Sequence, residues 1–187
     1  MDSKFKNTIG YLKKAFPSIL SYTSQGECVI ITTPKTLPKL VAFLKNHTAT
    51  KFEQLIDISA VDHPQRKYRF EVVYQFLSIR YNQRLSVVVF VSEAMSIESI
   101  SSIYPSAGWY ERETWDMFGI YFTNHPDLRR VLTDYGFRGH PLRKDFPVTG
   151  FLERRYSDMH KRTIYEKVNL AQEYRIFTLD NTWNLKN

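Results

Sequence analysis

Apolar residues in the N-terminal part of the chain recur in the two periods that regular structure imposes. Phe5, Ile9, Leu12 and Phe16 fall on one helical face, and Pro17 ends that run. Residues 27–33 read as a strand. Leu37, Leu40, Val41 and Leu44, at i, i+3, i+4 and i+7, predict a second helix capped by Thr36. Strands follow over 52–61, 69–79 and 84–91, and Phe70, Val72, Tyr74 and Phe76 share a face of the second. The stretches 62–67 and 80–83 between them have the length of hairpin turns. Ile97, Ile100 and Ile103 predict a short helix over 96–104. This order gives an α+β fold: a two-layer domain with helices packed on one face of a mixed β-sheet. The core domain runs over 1–122, and 123–187 reads as an ordered loop followed by an extended C-terminal tail for binding a partner.

The pattern breaks down over 106–150, where character changes every few residues. Pro105 and Gly108 interrupt the preceding structure, and 109–118 then runs as a helix to Gly119. At 100° per residue, Tyr110, Thr114, Trp115, Met117 and Phe118 form an apolar arc with Trp109, Arg112, Glu113 and Asp116 opposite. Glu111 falls inside the apolar arc. An unpartnered buried carboxylate costs several kcal/mol or takes up a proton, so Glu111 needs backbone donors or a cation, with Arg129, Arg130 and Arg143 as candidates. Arg112 and Asp116, four apart, are placed to pair on the helix surface for about 0.3–0.5 kcal/mol. Beyond Gly119, an Asn124–Asp127 turn, Arg129 and Arg130, and turns at 134–136 and 138–141 read as ordered loop through Gly150.

Three readings of this polar density compete. Acid–base or metal chemistry is poorly served: Glu111 and Glu113 point in different directions on a helix, and there is no HExxH. The sole cysteine, Cys28, lies far off in a strand-like run, which excludes thiolate metal sites and Fe–S clusters on ligand count. A solvated charged helix accounts for Arg112 and Asp116 but not for Glu111 or the aromatics. A protein-docking surface accounts for all of them.

The ordered strings Glu111-Arg112-Glu113 with Asp116-Met117-Phe118, His125-Pro126 with Leu128-Arg129-Arg130, and Gly139-His140-Pro141-Leu142-Arg143-Lys144-Asp145-Phe146-Pro147 resemble one family. It is the small hydrophilic peripheral-arm subunit (the 30 kDa or C type) of NADH:ubiquinone oxidoreductase, respiratory complex I, in its mitochondrial and proteobacterial branch. Leu55-Ile56-Asp57-Ile58, Val61-Asp62 and Arg69–Tyr74 are also family-like, so the resemblance covers roughly 52–174. It implies a scaffold subunit without a catalytic centre, metal or cofactor of its own, with Fe–S clusters and FMN in neighbouring subunits. It would serve NADH-to-ubiquinone electron transfer coupled to proton translocation by bracing the hydrogenase-like quinone-site subunit and touching adjacent iron–sulfur subunits. The motif residues expected at that interface are Glu111, Arg112, Glu113, Asp116, His125, Arg129, Arg130, Arg138, His140, Arg143, Lys144 and Asp145. The expected location is the matrix side of the mitochondrial inner membrane, peripheral, or else the cytoplasmic face of a bacterial plasma membrane. Many members carry a long acidic C-terminal extension that this sequence does not show.

Composition changes this picture little. A formal charge of +7 over 187 residues would suit nucleic acid, and a basic RNA- or ribosome-associated module is the alternative. Lys and Arg are nevertheless spread along the chain without a basic stripe. No run approaches the ~20 apolar residues of a membrane span, so membrane association is expected only through partners. There is no Gly-rich dinucleotide fingerprint and no phosphate loop. Met1 followed by a domain-like helix suggests an organelle-encoded, bacterial or processed chain. His47, His63 and His160 read as surface residues. In the tail, Tyr165, Val168, Leu170, Tyr174, Ile176, Phe177 and Trp183 have no core of their own, and 174–179 could form a strand laid along a partner.

Overall fold

The computed structural model describes residues 3–24 and 26–177, with side chains from Ile9 onward. Chain order is α1 (Ser3–Ala15), β1 (Leu20–Ser24), β2 (Glu27–Thr32), α2 (Leu37–Asn46), β3 (Gln54–Asp62), β4 (Phe70–Ser78) and β5 (Gln83–Val91). Then come β6 (Ile97–Glu98), α3 (Ala107–Phe118), β7 (Phe122–Thr123), β8 (Leu152–Ser157) and β9 (Arg162–Lys167). Two compact units result, Met1–Phe146 and Pro147–Asn187. The first extends past the expected boundary at 122, because the loop after β7 folds back onto α3.

In the first unit the sheet order is β1-β2-β5-β4-β3. All neighbours are antiparallel except β2 and β5, which run parallel and make the sheet mixed. Alternation along β4 buries Phe70, Val72, Tyr74 and Phe76, and Leu85, Val87, Val89 and Val91 of β5 join the same cluster. Leu12 of α1, the predicted Leu37, Leu40, Val41 and Leu44 of α2, and Ala107 of α3 close that cluster, so the helices cover one face. Phe16 meets Phe43 edge-on at 5.6 Å, tying α1 to α2.

Several local expectations give way. Strand β1 lacks a period because its residues are mostly exposed at a sheet edge, so burial imprints no pattern on it. Thr36 precedes α2 but its side chain does not cap it; its hydroxyl donates back to the Thr33 carbonyl at 3.1 Å. No helix forms over 96–104. Ile97 and Ile100 are buried there, but Ile97 sits in β6, which pairs with β7, and Ile100 precedes a turn. Three β-branched isoleucines and four serines favour extended structure and turns over a helix. Gly108 does not break α3 but lies in its first turn, which begins at Ala107.

In the second unit the tail is not wholly extended: β8 and β9 form an antiparallel hairpin from Leu152↔Lys167 to Ser157↔Arg162. Its strands are largely exposed, so it leaves no hydrophobic period to read. Arg155 pairs with Glu166 and Arg154 lies over the Tyr165 ring across it. Tyr174 to Phe177 are not a strand, and residues 178 and 179 and Trp183 lie outside the described residues.

Candidate functional site: a helix clasped by its own loop

Helix α3 is buried on more than its apolar arc. Glu111, Thr114 and Asp116 are each at most 2% exposed, and Arg112 is 9% exposed. The Thr114 hydroxyl reaches the Ile58 carbonyl of β3 at 3.4 Å, which sets the helix against that strand. The opposite side is covered by the loop that follows β7.

Glu111 lies inside the core, as the helical arc requires, but none of the three candidate arginines holds it. Its Oε1 accepts the Ile100 N–H at 2.8 Å and its Oε2 contacts the Ser99 hydroxyl at 2.5 Å. His125 Nε2 is 3.7 Å away. That ring accepts the Asp127 N–H on Nδ1 and lies 3.1 Å from the Gly108 carbonyl through Nε2. Burial pushes the Glu111 carboxyl above the usual range, against the Ser99 and Ile100 hydrogen bonds and the nearby His125, which pull it down.

Asp116 is the opposite case, and the surface pair with Arg112 does not form. Asp116 Oδ2 accepts three successive N–H groups, from Val131, Leu132 and Thr133, at 3.1, 2.9 and 2.9 Å. Its Oδ1 accepts the Thr133 hydroxyl and Arg130 Nη1 at 2.7 and 2.8 Å. Burial alone would raise this carboxyl, but the Thr133 and Leu132 donors and Arg130 overcome it and hold the value at about 2. Arg112 instead donates to the Arg129 carbonyl at 3.2 Å and stacks over Trp109.

The C-terminus of α3 is closed by residues far along the chain. The last four carbonyls of a helix lack intrahelical partners. Here Gly119 N–H bonds to Trp115 O at 2.8 Å, His140 Nδ1 to Asp116 O at 3.0 Å, Leu142 N–H to Met117 O at 3.1 Å and Arg143 Nε to Phe118 O at 2.6 Å. Arg143 adds a cation where the helix dipole is negative. Gly119 takes a left-handed φ of 77°, and a Cβ there would meet Arg143 Nη2 at 2.5 Å and His140 Nε2 at 2.6 Å. Burial lowers the proton affinity of His140.

The predicted site residues thus divide. Glu111, Arg112, Asp116, His125, Arg130, His140 and Arg143 turn inward and bind one another or the backbone. Glu113, Arg129, Arg138, Lys144 and Asp145 have exposed side chains, with Arg129 on Asp127 at 2.9 Å and Asp145 on Arg69 at 3.0 Å. Asp62, Arg69, Ser99 and Thr133 also belong to the constellation. Asp62 and Arg69 stood in the family-like strings, but nothing in the spacing linked them to the loop. His47 stacks on Phe43, His63 meets Glu71 and His160 is exposed beside Ser157. Among the described residues, no group of three or more His, Cys, Asp or Glu is arranged to hold a metal ion.

Residues 30–152 match the family described as "Respiratory-chain NADH dehydrogenase, 30 Kd subunit". The chain belongs to that family. It is 50% identical over 174 residues to NADH-ubiquinone oxidoreductase subunit 9 of Reclinomonas americana, covering 92% of this chain and 85% of the relative. It is 54% identical to NADH dehydrogenase [ubiquinone] iron-sulfur protein 3 of Beta trigyna, covering 83% and 81%. It is 53% identical to the C subunit of the NADH-quinone oxidoreductase of Cereibacter sphaeroides, covering 84% and 79%. The fold also matches a chain of the membrane-bound sulfane sulfur reductase, an archaeal respiratory membrane complex. The TM-score is 0.67 at 21% identity, over 78% of this chain and 86% of that one. The clasp about α3 lies within the matched span.

Proposed function

We propose that this chain, a 30 kDa (C-type) subunit of NADH:quinone oxidoreductase, acts in that complex as a cofactor-free scaffold. Its partners are other subunits of respiratory complex I, chiefly the hydrogenase-like quinone-site subunit, with Fe–S clusters and FMN carried by neighbours. It attaches to the membrane through them; no described helix is long and apolar enough to cross one. Its place is the matrix side of the mitochondrial inner membrane or the cytoplasmic face of a bacterial one. Although one relative is named an iron–sulfur protein, a single cysteine here is too few to hold a cluster of the Cys-ligated kind.

One observation carries this reading. In the signature region the carboxyls of Glu111 and Asp116 and the rings of His125 and His140 are spent on internal bonds, and mostly basic and apolar side chains are left facing outward. Arg129, Arg138 and Lys144 are exposed on the same stretch of chain as Trp109, Tyr121, Leu132, Tyr135 and Leu142, all five of which are more than half exposed. Arginine with aromatic neighbours suits an acidic protein face, because its planar fork pairs with carboxylates and stacks on rings. The family assignment favours this reading over the RNA-associated alternative. The test is charge reversal at exposed positions. Arg138→Glu with Lys144→Glu lowers the amount of assembled complex severalfold while turnover per assembled complex stays unchanged. Quinone reductase activity lost at normal assembly would refute the scaffold role.

A further inference from the structure

The signature loop is held at its far end by a residue outside the signature. Arg69, at the end of the β3–β4 turn, faces carboxylates from three parts of the chain. Its Nε meets Asp62 Oδ1 at 2.7 Å, its Nη2 meets Asp62 Oδ2 at 2.8 Å and Asp145 Oδ1 at 3.0 Å, and its Nη1 meets Glu93. Asp62 is itself buried and accepts the Lys144 N–H at 2.8 Å. Arg69 and Arg143 both lie against the Phe70 ring, at 5.3 and 5.2 Å. The ends of three neighbouring strands and residues 143–145 of the loop therefore meet on one guanidinium. Lysine could not reproduce this: its ammonium is a point charge, whereas the arginine fork addresses separate acceptors at fixed angles.

We propose that Arg69 is the positioning residue of the docking loop, seating residues 143–145 on the sheet through Asp62 and Asp145 so that Arg138, Leu142 and Lys144 are presented in one orientation. This rests on the docking reading above and adds a determinant for it on strands remote in sequence. With Arg69 gone, Asp62, Glu93 and Asp145 would be left with Arg143 as the charged group on the same ring, and Asp145, already exposed, would leave.

The Lys144 amide reports the latch directly, since its proton is bonded to Asp62. Hydrogen–deuterium exchange on the full-length chain should read it in Arg69→Met, Arg69→Lys and Asp145→Asn. Asp145→Asn, at an exposed position, should speed exchange over 143–146 by roughly three- to tenfold with the melting temperature unchanged. Arg69→Met should speed it more and lower complex assembly, with Arg69→Lys restoring part of both. Unchanged exchange over 143–146 in both Asp145→Asn and Arg69→Met overturns the proposal, as does faster exchange confined to the β3–β4 turn. Faster loop exchange with normal assembly leaves the latch standing and refutes the docking reading instead.

Discussion

Glu111 and Asp116 share helix α3 and are both fully buried, yet their proton affinities move in opposite directions. The difference is the donor count. Glu111 has a hydroxyl, one N–H and a histidine ring 3.7 Å away, whereas Asp116 has three N–H groups, a hydroxyl and a guanidinium. For Asp116 the folded value lies below the ordinary 3.8, at about 2, so its stabilisation is present above pH 4 and is lost as pH falls towards 2. Asp116→Asn, which also leaves a loop N–H without an acceptor, should cost about 2–4 kcal/mol at neutral pH. In urea titrations most of that gap should close near pH 2; a constant gap would mean the charge is irrelevant. For Glu111 the folded value is raised, so its contribution is present in acid and is lost as pH rises through that raised value. Glu111→Gln keeps an acceptor for Ile100 and a donor for Ser99. It should match the wild type in acid and exceed it by about 1–3 kcal/mol at alkaline pH. A variant equally destabilised at every pH would show that the charged carboxylate is needed.

At the scale of elements, the decisive contact is between α3 and residues 130–145. The loop closes the helix C-terminus and the helix carboxylate organises the loop, so each is the other's cap. Gly119 is where that closure is tightest. Gly119→Ala combines left-handed strain of about 1 kcal/mol with a clash against His140 and Arg143 that only loop displacement relieves. A cost of about 2–4 kcal/mol is expected in thermal unfolding, with faster amide exchange at Leu142. A cost under about 1 kcal/mol would mean the loop yields freely and is not a clasp. The helical arc found the burial of Glu111 because that depends on the helix alone. It missed Asp116 and Arg112 because their side becomes interior only when a later loop lies over it.

For the whole molecule, the chain passes from one compact unit to the other between Phe146 and Pro147, and the core cluster is drawn from the first. A chain truncated after Phe146 should therefore melt cooperatively within about 5 °C of the full-length protein, followed by calorimetry. It should also fail to enter the assembled complex if the tail carries contact surface. Loss of the cooperative transition would show that the hairpin after 147 contributes to the core. Exposed Leu152, Tyr156, Tyr165, Ile176 and Phe177 in the second unit are the apolar side chains such contact would bury.

Periodicity was enough to place α1, α2 and strands β2 to β5 within a few residues, breakers bounded α3, and the ordered motif strings were enough to point to the family. These signals are local, set by which side chains face a core one turn or two residues away. Which charge meets which was decided by the tertiary fold alone. Asp116 finds residues 130–133, His140 and Arg143 find the end of α3, and Asp62 finds Lys144 across 82 positions. Such pairs leave no period in the sequence, because the partners share neither a helix nor a strand. Their proximity depends on the path of the loop, and that path is fixed only once the helix it caps is in place on the sheet.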